Sequence, residues 1–159
     1  LPISVLVAIS AFQTVTLQES AMEPTYSVGE KFFVNRALYK FSSPKRGDVI
    51  VFKTSASDSA ALHIRRVIGL PGETVQVKDG QVYINGKVYE ENGAYQDMTD
   101  GGLADSAVTL ESGEYFVLGD NRNNSEDSRF SDIGNINKKY IVGKIWFTVS
   151  PKNKIGFIK

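Results

Sequence analysis

Alternating apolar and polar positions in the middle of the chain predict short β-strands. The pattern is clearest over Thr74–Lys78, Gln81–Ile84 and Lys87–Glu90, which the pairs Asp79-Gly80 and Asn85-Gly86 separate. Asx-Gly pairs favour the primed turns of tight hairpins, because both residues of such a turn need a positive φ. The three segments therefore predict a β-meander.

Other segments are rich in β-branched or aromatic residues and are bounded by Gly, Pro, Asn or Asp, which favours strands there as well. They are Lys31–Asn35, Asp48–Lys53, His63–Gly69, Tyr115–Leu118 and Ile141–Val149. Within the second of them, Val49-Ile50-Val51-Phe52 has no polar residue, so this strand is predicted to be covered on both faces. The predicted fold class is all-β, or mainly β.

The composition divides the chain into three parts. Between Glu91 and Leu110 it becomes polar and glycine-rich, which is typical of an exposed loop. Residues 73–109 are therefore predicted to form a small inserted β subdomain, and residues 13–72 and 110–159 a larger β core. Residues 1–12 begin with the apolar run Leu1–Ile9, which is too short to cross a bilayer. It is either a terminal apolar segment or the remnant of an N-terminal membrane anchor.

Charge and residue usage exclude several classes of function. The chain has 18 basic and 18 acidic side chains, so no overall field attracts nucleic acid, and no nucleic acid partner is predicted. It has no cysteine, which excludes disulfides and thiolate sites. His63 is the only histidine and is interpreted as a surface or strand-end residue. No metal or nucleotide motif is visible, so no cofactor is predicted.

Four segments resemble, in order and spacing, the sequence boxes of the type I signal peptidase family of the Gram-positive type. They are Ala21-Met22-Glu23-Pro24-Thr25, Lys45–Phe52, Arg65–Glu73 and Gly119–Arg129. The family consists of membrane-anchored serine endopeptidases with a Ser/Lys dyad. The resemblance implies a signal peptidase or LexA-like β fold with a small β-meander insertion. It also implies removal of signal peptides from exported preproteins at the outer face of the cytoplasmic membrane.

Both dyad positions depart from the family pattern. Where the family has the nucleophilic serine this chain has Ala21, and where it has the general-base lysine this chain has Arg65. A lysine acts as a base only when burial lowers its pKa far below the usual value of about 10.4. A guanidinium stays charged in proteins and cannot take a proton from serine. The chain is therefore predicted to be catalytically inactive as a Ser/Lys peptidase.

The resemblance assigns further roles at the site. Ser125 is expected to be the hydroxyl that orients the base, and it could accept a hydrogen bond from Arg65. Asp127 is expected to pair with Arg129 and with Arg66 in an ionic cluster. The other residues expected to shape the site are Met22, Pro24, Gly119 and Asp120, and those expected to border the substrate are Gln18, Glu19, Ser20 and Ile64.

Two of these residues raise separate chemical questions. A carboxylate at Glu19 would oppose an oxyanion that develops beside it. Ser20 is a hydroxyl one residue from the nucleophile position. If the segment is extended, its side chain points to the opposite face, which argues against a replacement nucleophile.

The expected partners are extended peptides laid along strand edges, either signal-peptide-bearing preproteins or pilin subunits. The edges are expected near residues 18–20 and 60–64. The resemblance implies a single-pass N-terminal anchor in the cell membrane and a domain on the extracytoplasmic side. Phe32, Phe33 and Trp146 are candidates for a membrane-facing surface.

Several interpretations remain open from the sequence. The chain is either a signal peptidase whose active residues were replaced, or a natural non-catalytic relative that acts as a chaperone or accessory protein in Gram-positive pilus assembly. A LexA-like self-cleaving regulator would need a DNA-binding domain, and no helix-turn-helix pattern is present. A plain β binding module disagrees with the long match over Gly119–Arg129.

Overall fold

The computed structural model describes Ile3 and residues 11–158, and it is built mainly of antiparallel strands. In chain order the strands are β1 (Phe12–Thr16), β2 (Lys31–Asn35), β3 (Val49–Phe52), β4 (His63–Gly69), β5 (Thr74–Lys78), β6 (Gln81–Ile84), β7 (Lys87–Val88), β8 (Val108–Thr109), β9 (Glu114–Leu118), β10 (Ile136–Asn137), β11 (Ile141–Ser150) and β12 (Gly156–Phe157). A short α-helix, here called α1, covers Leu38–Phe41 within the continuously described segment. The all-β prediction is confirmed.

The larger sheet has the strand order β1-β2-β11-β3-β4-β9-β10, and β12 pairs with β11. Its strand β3 is buried at all four positions, which confirms the prediction from the uninterrupted apolar run. Apolar side chains from both faces form two core clusters, one around Phe32 and Met22 and the other around Phe52 and Val117. This sheet holds the strands that carry the predicted site.

The second sheet has the order β7-β6-β5-β8, and all four of its strands lie within residues 73–109. The predicted Asx-Gly turns are present, since Asp79, Gly80, Asn85 and Gly86 all have positive φ. The sheet packs on the larger one through a third apolar cluster. Gly69 allows this contact, because a Cβ there would lie 2.5 Å from a methyl carbon of Val75.

Most predicted strands have the expected bounds, and the differences are at short elements. The third strand of the meander ends at Val88 instead of Glu90, and β1, β8, β10 and β12 were not predicted. The segment predicted as loop between Glu91 and Leu110 contains a 3-10 turn over Gly102–Asp105. Strands of two residues carry too little pattern to be recognised from sequence.

The predicted anchor remnant covers residues 1–12. Of these, the structure describes only Ile3, Ala11 and Phe12, so the prediction lies mostly outside the described residues. Among the described helices, none is both long and apolar enough to span a bilayer.

Candidate functional site

The first and last sequence boxes are joined by direct hydrogen bonds. Ala21 lies in a 3-10 turn over Ser20–Met22, and its carbonyl oxygen accepts a hydrogen bond from the backbone of Asn121 at 2.9 Å. The side chain of Asn121 donates to the carbonyl oxygen of Ser20 at 3.1 Å. The segment that resembles the nucleophile box is thus held against the loop that follows β9.

Gly119 is needed for this close contact. A Cβ at this position would lie 2.1 Å from the hydroxyl oxygen of Ser125 and 2.5 Å from the carbonyl oxygen of Ala21. The second of these is a backbone atom that cannot rotate away. The absence of a side chain at Gly119 therefore allows the two segments to approach each other.

Arg65 lies in β4, opposite Ile50 of β3, and only 1% of it is exposed. Its Nε donates to the carbonyl oxygen of Glu126 at 2.7 Å. Its Nη1 donates to the carbonyl oxygen of Ile64 at 2.7 Å and to Oε2 of Glu19 at 2.6 Å. A buried guanidinium requires such acceptors, because an unpaired charge at low dielectric is very costly.

Both carboxylate oxygens of Glu19 are engaged. Oε2 accepts from Arg65, and Oε1 lies 3.0 Å from Nδ1 of His63. Burial alone would raise the pKa of Glu19, but the hydrogen bonds and charges of His63 and Arg65 outweigh it and lower the pKa to about 2. Glu19 is therefore an anion at neutral pH. Its negative charge compensates the buried Arg65.

His63 has a more specific place than its sequence suggested. It begins β4, as expected of a strand-end residue, but it is partly buried. Its imidazole is bonded to Glu19, and its ring also lies near that of Phe52, with centroids 5.6 Å apart. Glu19, His63 and Arg65 form one cluster, which is called the Glu19 cluster below.

The assumption of an extended segment at Ser20 was wrong, because Ser20–Met22 forms a 3-10 turn. The hydroxyl of Ser20 accepts a hydrogen bond from the side-chain amide of Asn124 at 3.2 Å. No hydrogen bond joins this hydroxyl to a basic side chain among the described residues. The expectation that Ser20 is not a replacement nucleophile stays a prediction.

The expected hydrogen bond between Ser125 and Arg65 is absent, so that expectation was wrong. The hydroxyl oxygen of Ser125 is buried and has no hydrogen-bond partner among the described residues. Arg65 instead uses the backbone carbonyl of the next residue, Glu126. The guanidinium is longer than a lysine amine and is drawn to Glu19, so it does not need the serine hydroxyl.

The ionic cluster is divided differently from the prediction. Asp127 pairs with Arg129, as expected, with Nε–Oδ1 and Nη2–Oδ2 distances of 2.9 Å. Arg66, however, forms a bidentate ion pair with Asp120, with distances of 2.8 Å from Nε to Oδ1 and 2.6 Å from Nη2 to Oδ2. The predicted Arg66–Asp127 pair was therefore wrong. Neighbouring residues of a strand point to opposite faces, and the Asp120 carboxylate lies where the Arg66 side chain extends.

Asp127 and Arg129 form the buried frame of the loop between β9 and β10. Asp127 is fully buried and also accepts from the backbone of Gly119 at 3.1 Å. Arg129 reaches two carbonyl oxygens, those of Asp100 and Arg122. The pair thus connects the last sequence box with the loop that carries the 3-10 turn at Gly102–Asp105.

Arg122 is a buried structural residue that sequence reasoning missed. It is 2% exposed and forms a bidentate ion pair with Glu91. The distances are 2.6 Å from Nη1 to Oε2 and 2.5 Å from Nη2 to Oε1. Its guanidinium also lies over the ring of Tyr95, 4.1 Å from the centroid. The box Gly119–Arg129 contains several polar residues, and the sequence does not show which of them is buried. Only the contacts with Glu91 and Tyr95, about thirty positions away, reveal the role of Arg122.

The remaining predicted site residues differ in exposure. Met22 and Ile64 are buried in the same apolar cluster beneath the site. Gln18 and Pro24 are exposed. The four are therefore divided between the floor of the site and its rim.

One edge of β4 is open at the site. Residues His63–Arg65 pair with β3, whereas the register of β4 with β9 begins only at Arg66. Among the described residues, no strand lies along the other edge of His63–Arg65. This stretch faces the turn at Ser20–Met22, so an extended segment could pair with the edge.

Of the candidates for a membrane-facing surface, Phe32 is fully buried, so its assignment was wrong. Phe33 and Trp146 are partly buried and belong to a cluster of neighbouring aromatic rings on β1, β2, β11 and β12. The most exposed member of this cluster is Phe157, at 72%.

The comparisons with known proteins agree with the sequence boxes. The sequence model of the family described as "Signal peptidase, peptidase S26" matches residues 1–150. The chain belongs to this family. It is 40% identical over 146 residues to a protein named signal peptidase I from Leptolyngbya laminosa, covering 88% of this chain and 70% of the relative.

Other relatives have the same name. A signal peptidase I from Bacillus licheniformis is 32% identical over 160 residues, covering 96% of this chain and 84% of the relative. A signal peptidase I from Enterococcus faecalis V583, known from a crystal structure, has 33% sequence identity to this chain and a TM-score of 0.48. The match covers 64% of this chain and 95% of the Enterococcus faecalis chain.

Within this family framework, the Glu19 cluster decides which chemistry the site can perform. Ala21 supplies no nucleophile, and Arg65 supplies a charged donor instead of a base. The site can donate hydrogen bonds to acceptors and can offer an open strand edge. It holds these groups rigidly, because Arg65 and Asp127 are buried and bonded to backbone atoms.

Proposed function

We propose that this chain is a non-catalytic member of the signal peptidase family that binds extended segments of exported proteins without cleaving them. The observation that carries the proposal is the Arg65–Glu19 ion pair, with 2.6 Å between Nη1 and Oε2. It occupies the place where the family has its general base. The anionic Glu19 favours the charged form of any basic group beside it and so works against a neutral amine at position 65.

The binding half of the proposal rests on the open edge of His63–Arg65. A bound segment in an extended conformation would add to β4 as a strand, with backbone hydrogen bonds for affinity and small pockets for selectivity. The clients are preproteins with signal peptides or, if the chain acts as an accessory protein in Gram-positive pilus assembly, pilin subunits. The protein acts at the extracytoplasmic side of the cell membrane, where such segments emerge.

The first experiment is a cleavage assay with a signal-peptide-bearing preprotein, with a catalytically active signal peptidase I as the positive control. We expect no cleavage by this chain at any enzyme concentration at which the control completes the reaction. In parallel, binding of a fluorescent peptide is measured by anisotropy. The peptide copies the end of the signal peptide of the same preprotein. Cleavage would overturn the proposal, and absence of both cleavage and binding would overturn its binding half.

The second experiment tests whether Glu19 prevents cleavage when the dyad is restored. The double variant Ala21→Ser with Arg65→Lys restores the dyad but keeps Glu19, which would hold the new amine in its charged form. The triple variant adds Glu19→Ser. We expect the double variant to remain silent. Cleavage by the triple variant alone would identify Glu19 as a third inactivating residue, whereas cleavage by the double variant would contradict this role.

A further inference from the structure

A cleft that contains no residue of the Glu19 cluster gathers positive charge. Its volume is about 1080 Å³, and it lies at the end of the larger sheet where β2 and β3 end and β11 begins. It is lined by five cationic side chains, those of Arg36, Lys40, Lys53, Lys138 and Lys139. No carboxylate lines it among the described residues.

These cations differ from the arginines elsewhere in the fold. Arg46, Arg65, Arg66, Arg122 and Arg129 each have a carboxylate partner, which neutralises them. Within the described part of the chain, the five cleft cations have no such ion pair. A chain of zero formal net charge thus has a local surplus of positive charge in one concave place.

The neighbouring contacts of the cleft are polar but uncharged. Lys138 donates to the carbonyl oxygen of Ser42 at 2.9 Å, and Lys53 is 3.5 Å from the carbonyl oxygen of Asp58. These bonds fix the direction of two amines and leave their charge uncompensated. The arrangement suits a ligand that brings several anionic oxygens.

Exposed apolar side chains lie beside this charge. Helix α1 contributes Lys40 to the cleft, and its Phe41 and Leu38 are 90% and 37% exposed. The backbone of Arg36 donates to the carbonyl oxygen of Ala11 at 2.8 Å, so the cleft adjoins the first residue of the continuously described segment. Cations next to exposed apolar groups are typical of surfaces that bind anionic lipids.

We infer that this cleft binds the phosphate groups of anionic phospholipid headgroups, with Phe41 entering the interface. An acidic protein segment would match the charge but would not use the exposed phenylalanine. No residue that lines the cleft belongs to the open edge His63–Arg65, so the inference does not depend on the proposed client binding. It gives the domain an orientation on the membrane that its open strand edge alone does not determine.

The test measures sedimentation of the whole chain with vesicles of phosphatidylglycerol and phosphatidylcholine, compared with vesicles of phosphatidylcholine alone. The apolar run Leu1–Ile9 contributes to both vesicle types, so the difference between them reports the cleft. The variant Arg36→Gln, Lys40→Gln, Lys139→Gln is expected to weaken binding to the anionic vesicles about 100-fold, since each cation near the surface contributes several-fold. Equal binding of wild type to both vesicle types would overturn the inference.

The matched control is Lys45→Gln, Lys87→Gln, Lys152→Gln, which removes the same charge from exposed positions outside the cleft. It should change binding by about threefold or less, because charges far from the contact are screened. An equal loss in both triple variants would mean attraction by overall charge and would overturn the inference. Thermal melts of both variants exclude unfolding as the cause.

Two further arms identify the ligand. Phe41→Ser leaves the charge unchanged and should weaken binding to anionic vesicles about tenfold, through loss of apolar burial. Displacement from the vesicles by millimolar glycerol phosphate would instead assign the cleft to soluble phosphate esters. Tight binding of polyglutamate without vesicle binding would assign it to acidic proteins. Either of these last two results contradicts the lipid proposal.

Discussion

Arg65 and Glu19 form an ion pair that joins strand β4 to the segment just before the turn at Ser20–Met22. The guanidinium is 1% exposed and the carboxylate is about one-third exposed. The pair therefore connects a buried charge with a charge at the rim of the site. Without Glu19, Arg65 would be buried with backbone carbonyl oxygens as its only acceptors among the described residues.

The Glu19–Arg65 pair predicts a pH dependence of stability. The pKa of Glu19 is lowered from its ordinary 4.5 to about 2 in the folded protein. A carboxylate with a lowered pKa stabilises the fold above its ordinary pKa, and this contribution is lost as the pH falls towards the folded pKa. Wild type should therefore lose stability between about pH 4.5 and 2. Glu19→Gln should show a smaller loss in chemical denaturation over this range.

At neutral pH, Glu19→Gln should cost about 1–3 kcal/mol, because it leaves a buried cation without its anion. Water reaches the partly exposed carboxylate position and reduces the cost. The control is Glu90→Gln, an exposed carboxylate without an ion pair among the described residues. Identical pH slopes for wild type and Glu19→Gln would show that the pair does not contribute.

The fully buried Asp127 predicts a large loss on truncation. Asp127→Ala removes the acceptor of the Arg129 guanidinium and of the Gly119 backbone, and should cost about 3–5 kcal/mol in denaturant melts. Asp132→Ala, at an exposed position of the same loop, should change stability by about 0.5 kcal/mol or less. Coincident melts of the two variants would contradict the buried pair.

Two buried serines predict opposite outcomes for the same substitution. Ser125→Ala removes a hydroxyl that has no partner among the described residues, so it should be neutral or stabilising. Ser128→Ala removes the acceptor of the Val117 backbone N–H, at 2.9 Å, and should cost about 1–3 kcal/mol. Thermal unfolding of both variants checks the difference. A larger loss for Ser125→Ala would mean that its hydroxyl has a partner.

The close approach at Gly119 predicts a steric effect. Gly119→Ala should destabilise the protein by about 3 kcal/mol, because its Cβ would overlap Ser125 and the carbonyl oxygen of Ala21. Adding Ser125→Gly removes one overlap and leaves the backbone contact. In a Ser125→Gly background, Gly119→Ala should therefore still lower the free energy of unfolding. The loss should be smaller than the loss that Gly119→Ala causes in wild type. Full recovery would show that the Ala21 carbonyl moves away without cost.

Local pattern determined much of this protein. The alternation of Thr74–Lys78 and Gln81–Ile84 and the positive φ required at the Asx-Gly turns predicted the meander and the bounds of its first two strands. The apolar run Val49-Ile50-Val51-Phe52 predicted a strand buried on both faces. The sequence boxes indicated the family, because Ala21 and Arg65 stand at fixed places in long matches. These features depend on neighbouring residues and on backbone geometry, which a sequence displays directly.

The pairing of charges was decided only by the tertiary structure. Arg66 bonds Asp120 instead of Asp127, Arg65 bonds Glu19 instead of Ser125, and Arg122 bonds Glu91. The basic cleft likewise combines side chains from residues 36 to 139. Ion pairs form between side chains that the fold brings within a few ångströms, and sequence spacing carries no information on which carboxylate that will be. The sequence therefore determined the strands and the family boxes, and the fold determined which charges pair within and around those boxes.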